Sequence, residues 1–219
     1  MPLPDYYHES TLSVSRSFLI LGEKILSLSI TDLLTINYIP SPEEVSLQTI
    51  AFFYEEHLMN HQFRFLIKHK AQEIRVRFED GALCHLLGIH HFVSGQAGKS
   101  HQGHISLIDG TITFESLKKM NSGQFEKDKQ RLLAFPLVYQ IVKKPLFLEL
   151  DPRIDEVRAN WQVYNRFEKV FVQLKLRRQD PKRPKFYVPV SLLVREHLPA
   201  KKRIDVKEVE VLSLNEGWS

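Results

Sequence analysis

Cysteine is almost absent from this sequence of 219 residues, with Cys84 as its single example. One thiol cannot close a disulfide within the chain or build a zinc site from several thiolates. Nine glycines and eleven prolines are too few for a collagen-like or low-complexity protein. The apolar runs, such as 17–21 and 51–54, are far shorter than the ~20 residues that span a bilayer. These absences favour a globular protein that does not enter a membrane.

The sequence opens Met-Pro-Leu-Pro-Asp, without the basic leader and apolar core of a secretory signal. We therefore expect a cytoplasmic protein. Its length and its 43% content of hydrophobic residues fit one large domain. We predict an acidic helical extension over residues 1–44, packed on an α+β domain that spans 45–219.

The charge is distributed unevenly along the chain. Residues 1–60 carry two basic and eight acidic side chains, whereas residues 61–219 carry 28 basic and 18 acidic ones. A basic body indicates a polyanionic partner such as RNA, although the same excess can serve solubility alone. We hypothesise that the acidic segment masks the basic surface, so that deletion of residues 1–40 raises RNA affinity at low salt.

The spacing of apolar residues predicts helices in the first two thirds of the chain. They fall at about 12–37, 42–59, 82–92, 114–120 and 124–143. Ser41, Pro42 and Glu44 resemble a helix-capping box, and Pro136 should break the last helix. The polar segment 94–104 is expected to be an exposed loop.

Alternating patterns predict an antiparallel sheet around these helices. A first hairpin is expected near residues 63–78, and further strands at 146–150, 170–176, 186–194 and 206–212. The polar, proline-containing segment 177–184 reads as the turn of a second hairpin. The predicted class is α+β, with helices first and a helical insertion between the hairpins of one sheet.

Five of the ten histidines lie within twenty residues: His85, His90, His91, His101 and His104. Such a cluster is compatible with a metal site, with acid–base catalysis or with ordinary structural roles. The five-residue separation of His85 and His90 does not suit two ligands on one helix face, so no metal is assigned. His101 and His104 are interpreted as loop residues, and Cys84 as a small buried side chain.

A string around these histidines carries a family resemblance. Phe78-Glu-Asp-Gly-Ala-Leu-Cys-His-Leu-Leu-Gly-Ile-His-His91 resembles the hallmark of a phage-type branch of the barnase–EndoU–colicin–RelE nuclease superfamily. The resemblance covers about residues 45–212 and implies a ribonuclease-like fold that cuts RNA without a metal or other cofactor. By position it implies His85 and His90 as active-site residues, with Lys118 and Ser191 as weaker candidates. Cys84 stands where the family often has proline.

A metal-free ribonuclease needs a base for the 2′-hydroxyl, an acid for the leaving oxygen and a cation for the developing charge. His85 and His90 are candidates for base and acid, and Lys118, Lys119 or Arg131 for the cation. On a continuous helix the two histidines would point about 140° apart. If only one of them faces the cleft, we expect it to be His85.

Basic residues interleaved with aromatic ones predict a surface that contacts RNA. A solvated hairpin tip would show the same composition. The candidates are Arg64, Arg75, Arg77, Arg131, Lys175, Arg177, Arg178, Arg183, Lys185 and Tyr187.

Two functions fit these observations. The first is a metal-independent endoribonuclease of toxin or phage-effector type, with a protein inhibitor or immunity partner as a possible second partner besides RNA. The alternative is a catalytically inactive module of the same fold that binds RNA or a protein.

Overall fold

A computed structural model describes residues 27–68, 72–98, 100–198 and 203–214. Within these residues eight strands form one sheet, in the order β7-β3-β4-β5-β6-β2-β1-β8. The strands are β1 His61–Ile67, β2 Glu73–Arg77, β3 Leu146–Glu149, β4 Trp161–Phe167, β5 Val170–Asp180, β6 Arg183–Arg195, β7 Arg203–Ile204 and β8 Val206–Ser213. The predicted hairpins are confirmed as β1–β2 and β5–β6.

Seven α-helices occur in the described part of the chain. They are α1 Ile30–Leu33, α2 Leu47–Tyr54, α3 Ala82–Leu87, α4 Ser100–Ile108, α5 Phe114–Met120, α6 Ser122–Ala134 and α7 Leu137–Lys143. Helices α3 to α7 lie between β2 and β3 in the chain, which confirms the α+β class with a helical insertion. The break at Pro136 is confirmed as the boundary between α6 and α7.

The sheet departs from the predicted antiparallel arrangement at one place. Strands β2 and β6 run parallel and pair through two residue pairs, Arg75↔Phe186 and Val76↔Tyr187. All other neighbouring strands are antiparallel. A long helical insertion separates the two hairpins, so no tight turn sets their relative direction. The two hairpins therefore meet side by side at this short parallel junction.

The predicted helix over 42–59 begins later than expected. The capping-box contact forms, because a Glu44 carboxylate oxygen accepts a hydrogen bond from the Ser41 amide at 2.8 Å. The chain nevertheless leaves the turn and buries Val45 before α2 starts. Ser46 caps α2 by accepting from the Thr49 amide at 2.9 Å. The helix ends in a π-helical segment, Glu55–Met59.

The predicted loop over 94–104 is wrong. This stretch contains a 3₁₀ turn, Gly95–Gly98, and the start of α4. The reason is His104, which is 2% exposed and shares a 2.9 Å hydrogen bond between its Nε2 and an Oε1 of Glu55. The prediction of helices relies on the spacing of apolar residues. Because the buried residue here is polar, that spacing is not visible in the sequence. His101 also lies in α4, where its Nδ1 is 2.8 Å from a carboxylate oxygen of Asp80.

The second hairpin is longer than predicted. β5 continues to Asp180 and β6 begins at Arg183, so only two residues remain for the turn instead of the segment 177–184. The sequence pattern also missed β4, whose buried Trp161, Val163 and Phe167 alternate with polar residues less regularly. Among the described residues no helix is long and apolar enough to cross a bilayer.

The described part of the acidic segment belongs to the hydrophobic core. Leu33 and Ile36 are buried in the same cluster as Phe53 and Phe63, and the Leu28 amide donates to the Glu44 carbonyl at 2.6 Å. The rest of the predicted helix 12–37, residues 12–26, lies outside the described residues. The masking hypothesis stays untested, and a deletion that tests it should stop before residue 27 so that Leu33 and Ile36 remain.

Gly81 precedes α3 where α4 approaches most closely. Its φ is +75°, and a Cβ atom there would lie 2.4–2.7 Å from backbone atoms of Ser100 and His101. We predict that Gly81→Ala lowers the free energy of unfolding by about 2–4 kcal/mol, because backbone strain and a backbone clash act together. Urea unfolding measures this difference.

Gly95 offers a matched control, because its φ is +71° but a Cβ atom would meet nothing within 4 Å. Gly95→Ala should cost only the conformational part, about 1–2 kcal/mol. Equal losses for the two variants would contradict the close approach of α3 and α4.

Candidate active site

A left-handed turn at Gly88 shapes the histidine string. α3 ends at Leu87, and Gly88 caps it with φ +79° while its amide donates to the carbonyls of Cys84 and His85. A 3₁₀ turn, Ile89–His91, follows and carries the chain back toward α3. Glycine adopts this conformation readily, and other residues do so at a cost.

The turn brings His85 and His90 together. Their rings are stacked, with centroids 4.8 Å apart and planes inclined by 19°. His91 meets His90 edge-on at 4.2 Å between centroids. The separation of about 140° expected on a continuous helix is wrong here, because the α-helix ends between the two histidines. The buried leucines of α3 face the core and leave His85 exposed.

Arg131 of α6 donates two hydrogen bonds to the backbone of this turn. Its Nε donates to the Leu86 carbonyl at 2.6 Å, and its Nη2 donates to the His85 carbonyl at 2.7 Å. Burial lowers the pKa of Arg131, and the nearby carboxylate of Asp128 acts in the opposite direction. Arg131 was predicted to contact RNA or to act as the catalytic cation. The structure places its guanidinium against the backbone of the histidine string.

Asp128 supports the third histidine of the string. Its Oδ2 lies 2.7 Å from Nδ1 of His91 and accepts a hydrogen bond from Gln124 at 2.7 Å. Cys84, in contrast, takes no part in the site. It is fully buried, and burial raises the pKa of its thiol to about 12. A thiol with that pKa carries almost no thiolate at neutral pH.

The surroundings of His85 keep its ring neutral. Loss of water around the ring lowers the pKa of His85 below its ordinary value of 6.5, and the neighbouring side chains of Arg131, His91 and Arg177 act in the same direction. A hydrogen bond with the backbone of Val190 acts in the opposite direction. At neutral pH the ring is therefore ready to accept a proton.

His85 stands between two depressions of the surface. The larger, a cleft of about 480 Å³, is lined by Glu79, His85, Glu156, Val157, Arg158, Arg177, Val188, Pro189 and Val190. We call it the His85 cleft. The smaller is lined by His85, His90, Gly98 and Ser100. Four parts of the fold form the larger cleft: the end of β2, helix α3, the loop after β3 and the β5–β6 hairpin.

Three charged residues of the cleft were missed in the sequence. Glu79 stands inside the string that carries the family resemblance, and its place after strand β2 is the signal that marks it. Glu156 and Arg158 lie in the loop between β3 and β4. No local pattern distinguishes them, because only the fold brings this loop to His85. Arg177 was predicted as an RNA contact and does line the cleft.

The weaker catalytic candidates do not line either depression. Lys118 is exposed on α5, and Ser191 lies in β6 opposite Lys175. Their catalytic assignment stays a prediction. Lys175 forms an ion pair with Asp155 in which both side chains are largely buried. Tyr187 is 1% exposed within the core, so its ring is not on the surface to stack on a base.

The other predicted RNA contacts lie largely in internal ion pairs. Glu73 contacts Arg64, Arg75 and Lys185, and Arg64 also donates to Glu210 at 2.6 Å. Partial burial raises the pKa of Glu73, but the hydrogen bond and charge of Arg75 and the charges of Lys185 and Arg64 outweigh it and leave this pKa lowered. This basic surface is thus partly neutralised by its own carboxylates.

The other three cations of the predicted RNA surface lie on β2 and on the β5–β6 hairpin. Arg77 ends β2, and Arg183 opens β6 opposite Asp180. The Arg178 guanidinium lies 6.0 Å from the ring centroid of Tyr187. Within the described residues, no three His, Cys, Asp or Glu side chains converge as they would around a metal ion.

The sequence matches a family model over most of its length. The model of a family described as phage-Barnase-EndoU-ColicinE5/D-RelE like nuclease4 matches residues 46–212. The chain belongs to this family. The resemblance drawn from the histidine string is therefore confirmed, and the match includes every residue that lines the His85 cleft. Searches of curated proteins and of solved structures found no match. The family indicates a nuclease with a nucleic acid as its substrate.

Arg131→Met should raise the pKa of His85 toward 6.5 and destabilise the protein. The substitution removes a positive charge that disfavours imidazolium. It also removes the Arg131 donor of the Leu86 carbonyl and one of the two donors of the His85 carbonyl. We expect a loss of about 1–3 kcal/mol in unfolding free energy. NMR titration of the His85 ring and urea unfolding measure both effects.

Lys127→Met is the matched control, because Lys127 is exposed on the same helix and the charge change is the same. It should leave both quantities nearly unchanged. The same pKa change in the two variants would contradict a specific role for Arg131.

Proposed function

We propose that the protein is a metal-independent endoribonuclease that cleaves RNA at the His85 cleft. The observation that carries the proposal is the stacking of His90 on His85, the histidine that lines this cleft, in a chain of a nuclease family. Two protonated rings at this distance repel each other, so the pair favours holding a single proton. The reaction needs one base and one acid that both reach the same phosphodiester.

In the proposed reaction, neutral His85 accepts the proton of a ribose 2′-hydroxyl. The 2′-oxygen then forms a bond to the adjacent phosphorus, and the bond from phosphorus to the 5′-oxygen breaks. His90, in its protonated form, gives its proton to that departing oxygen. The products are a 2′,3′-cyclic phosphate and a free 5′-hydroxyl. The lowered pKa of His85 supports its role as the base.

A toxin or phage-effector role follows from the same proposal. An enzyme that cuts cellular RNA needs control, and a protein inhibitor that covers the His85 cleft would provide it. The alternative function is a catalytically inactive module that binds RNA or a protein partner. The exposed cations of the β5–β6 hairpin would serve either function.

Cleavage of a mixed RNA pool in EDTA tests the reaction. We expect His85→Gln and His90→Gln each to lower the rate by about 10²–10⁴-fold, the usual contribution of a general acid or base. His101→Gln is the control, since His101 is an exposed histidine of α4 outside both depressions. Salt-sensitive binding by the wild type without cleavage would favour the binding module.

The pH dependence of kcat/KM tests the assignment of roles. Because neutral His85 is the base and its pKa is lowered, the ascending limb should lie below pH 6.5. Loss of this limb in His85→Gln would support the assignment. An ascending limb that survives in His85→Gln and vanishes in Glu79→Gln would instead make Glu79 the base.

Folding must be monitored over the same pH range. The folded state disfavours protons on His85 and His61, whose pKa values are both lowered. The unfolded chain binds these protons more readily, so stability falls as the pH drops below about 6.5. Circular dichroism at each pH separates this loss from the change in rate.

A further inference from the structure

Two arginines of the His85 cleft differ from most others in the protein. The guanidinium groups of Arg158 and Arg177 form no hydrogen bond or ion pair with any residue that the structure describes. Elsewhere Arg64 pairs with Glu210, Arg153 with Asp151 and Arg203 with Asp205. Two unpaired cations that line one cleft favour the binding of an anion there.

The backbone at Arg158 is strained. Its φ is +54°, in the left-handed region that residues other than glycine rarely occupy. Such a conformation costs about 1–3 kcal/mol and persists only where its surroundings impose it. Here the Arg158 amide donates to the Asp155 carbonyl at 2.9 Å, and the Asp155 carboxylate accepts from the amides of Val157 and Ala159 at 3.1 Å each.

An ion pair with β5 holds this loop in place. The Lys175 ammonium contacts the second carboxylate oxygen of Asp155, and the two side chains are only 14% and 10% exposed. Partial burial raises the pKa of Asp155, but the hydrogen bonds and charge of Lys175 and the loop amides outweigh it and leave this pKa lowered. At the far end of the loop, Asn160 accepts from the Arg178 amide at 2.8 Å.

The same strand carries the second arginine. Lys175 and Arg177 are two residues apart in β5, so their side chains share one face of the strand. One cation of this face fixes the loop, and the next one lines the cleft. The Asp155–Lys175 pair therefore joins the loop of Arg158 to the strand that carries Arg177.

We propose that Arg158 and Arg177 form a clamp for a phosphodiester of the RNA substrate, and that Asp155 and Lys175 are its positioning residues. The proposal rests on the proposed function, which brings RNA to this cleft. Guanidinium groups bind phosphate oxygens through paired hydrogen bonds. The clamp sets the phosphate beside His85, whose ring lines the same cleft.

Two carboxylates, Glu79 and Glu156, line the cleft together with the arginines. Glu79 accepts a hydrogen bond from Gln179 at 2.6 Å, which ties it to the β5–β6 hairpin. Glu156 is exposed on the same loop as Arg158. A carboxylate near a bound phosphate repels it, so Glu156→Gln should strengthen RNA binding two- to fivefold at low salt.

Binding of an RNA oligonucleotide with 2′-O-methyl groups tests the clamp, because this probe lacks the attacking hydroxyl and separates affinity from cleavage. We expect Arg158→Met and Arg177→Met each to weaken binding about tenfold in 50 mM salt. Each should also reduce the slope of log K against log salt by about one. Arg153→Met is the control, since Arg153 is an exposed residue of the same loop that pairs with Asp151 and does not line the cleft.

Arg158→Gly separates binding from folding. Glycine accepts the left-handed backbone without strain, so the melting temperature should rise by about 2–4 °C while the affinity falls. A purely structural role for Arg158 predicts no loss of affinity in this stabilised variant. If Arg158→Met and Arg158→Gly bind the probe as Arg153→Met does, the clamp is wrong.

Lys175→Met tests the positioning pair. The loop should lose its fixed place, so affinity should fall in the wild-type background and change little in the Arg158→Met background. Equal losses in both backgrounds would overturn the positioning role.

The proposed clamp and the proposed reaction can be disproved separately. If the wild type does not cleave RNA but binds the probe through Arg158 and Arg177, the reaction is wrong and the clamp stands. If the wild type cleaves RNA and the arginine variants bind and cleave normally, the clamp alone is wrong.

Discussion

The contact between Arg131 and the end of α3 is the constraint on which the rest of the site depends. The guanidinium donates to the Leu86 carbonyl at the end of α3 and, together with the Gly88 amide, to the His85 carbonyl. This is also the negative end of the helix dipole, so a buried cation is stabilised there. The contact fixes the point at which the chain turns at Gly88. This turn stacks His90 on His85.

The histidine string was readable from the sequence because its information is local. The leucines of α3 mark the buried face, and the residue types between Phe78 and His91 carry the family resemblance. The stacking was not predicted, because a continuous helix was assumed across Gly88. A glycine directly after a run of buried apolar residues is a helix-termination signal, and it would have indicated that His85 and His90 belong to different segments.

The number of charged residues in each segment could be counted from the sequence, but which of them lack an ion-pair partner could not be predicted. Composition records how many lysines and arginines a segment holds, whereas their availability depends on partners far away in the chain. Glu210 reaches Arg64 across the pairing of β1 with β8, and Glu73 joins Lys185 of the other hairpin. Strand β4, which the sequence pattern missed, connects the loop of Arg158 to the hairpin of Arg177. The sequence therefore could not predict that Arg158 and Arg177 line one cleft.

The candidate site lies at the junction of the two hairpins. Glu79 and α3 follow β2, whereas Arg177 and Val188 belong to the β5–β6 hairpin. Two residue pairs between β2 and β6 join these halves within the sheet. Neither hairpin alone carries both the proton-transfer histidines and the arginines of the clamp. The proposed proton transfer and phosphate binding would thus both depend on this one short parallel contact.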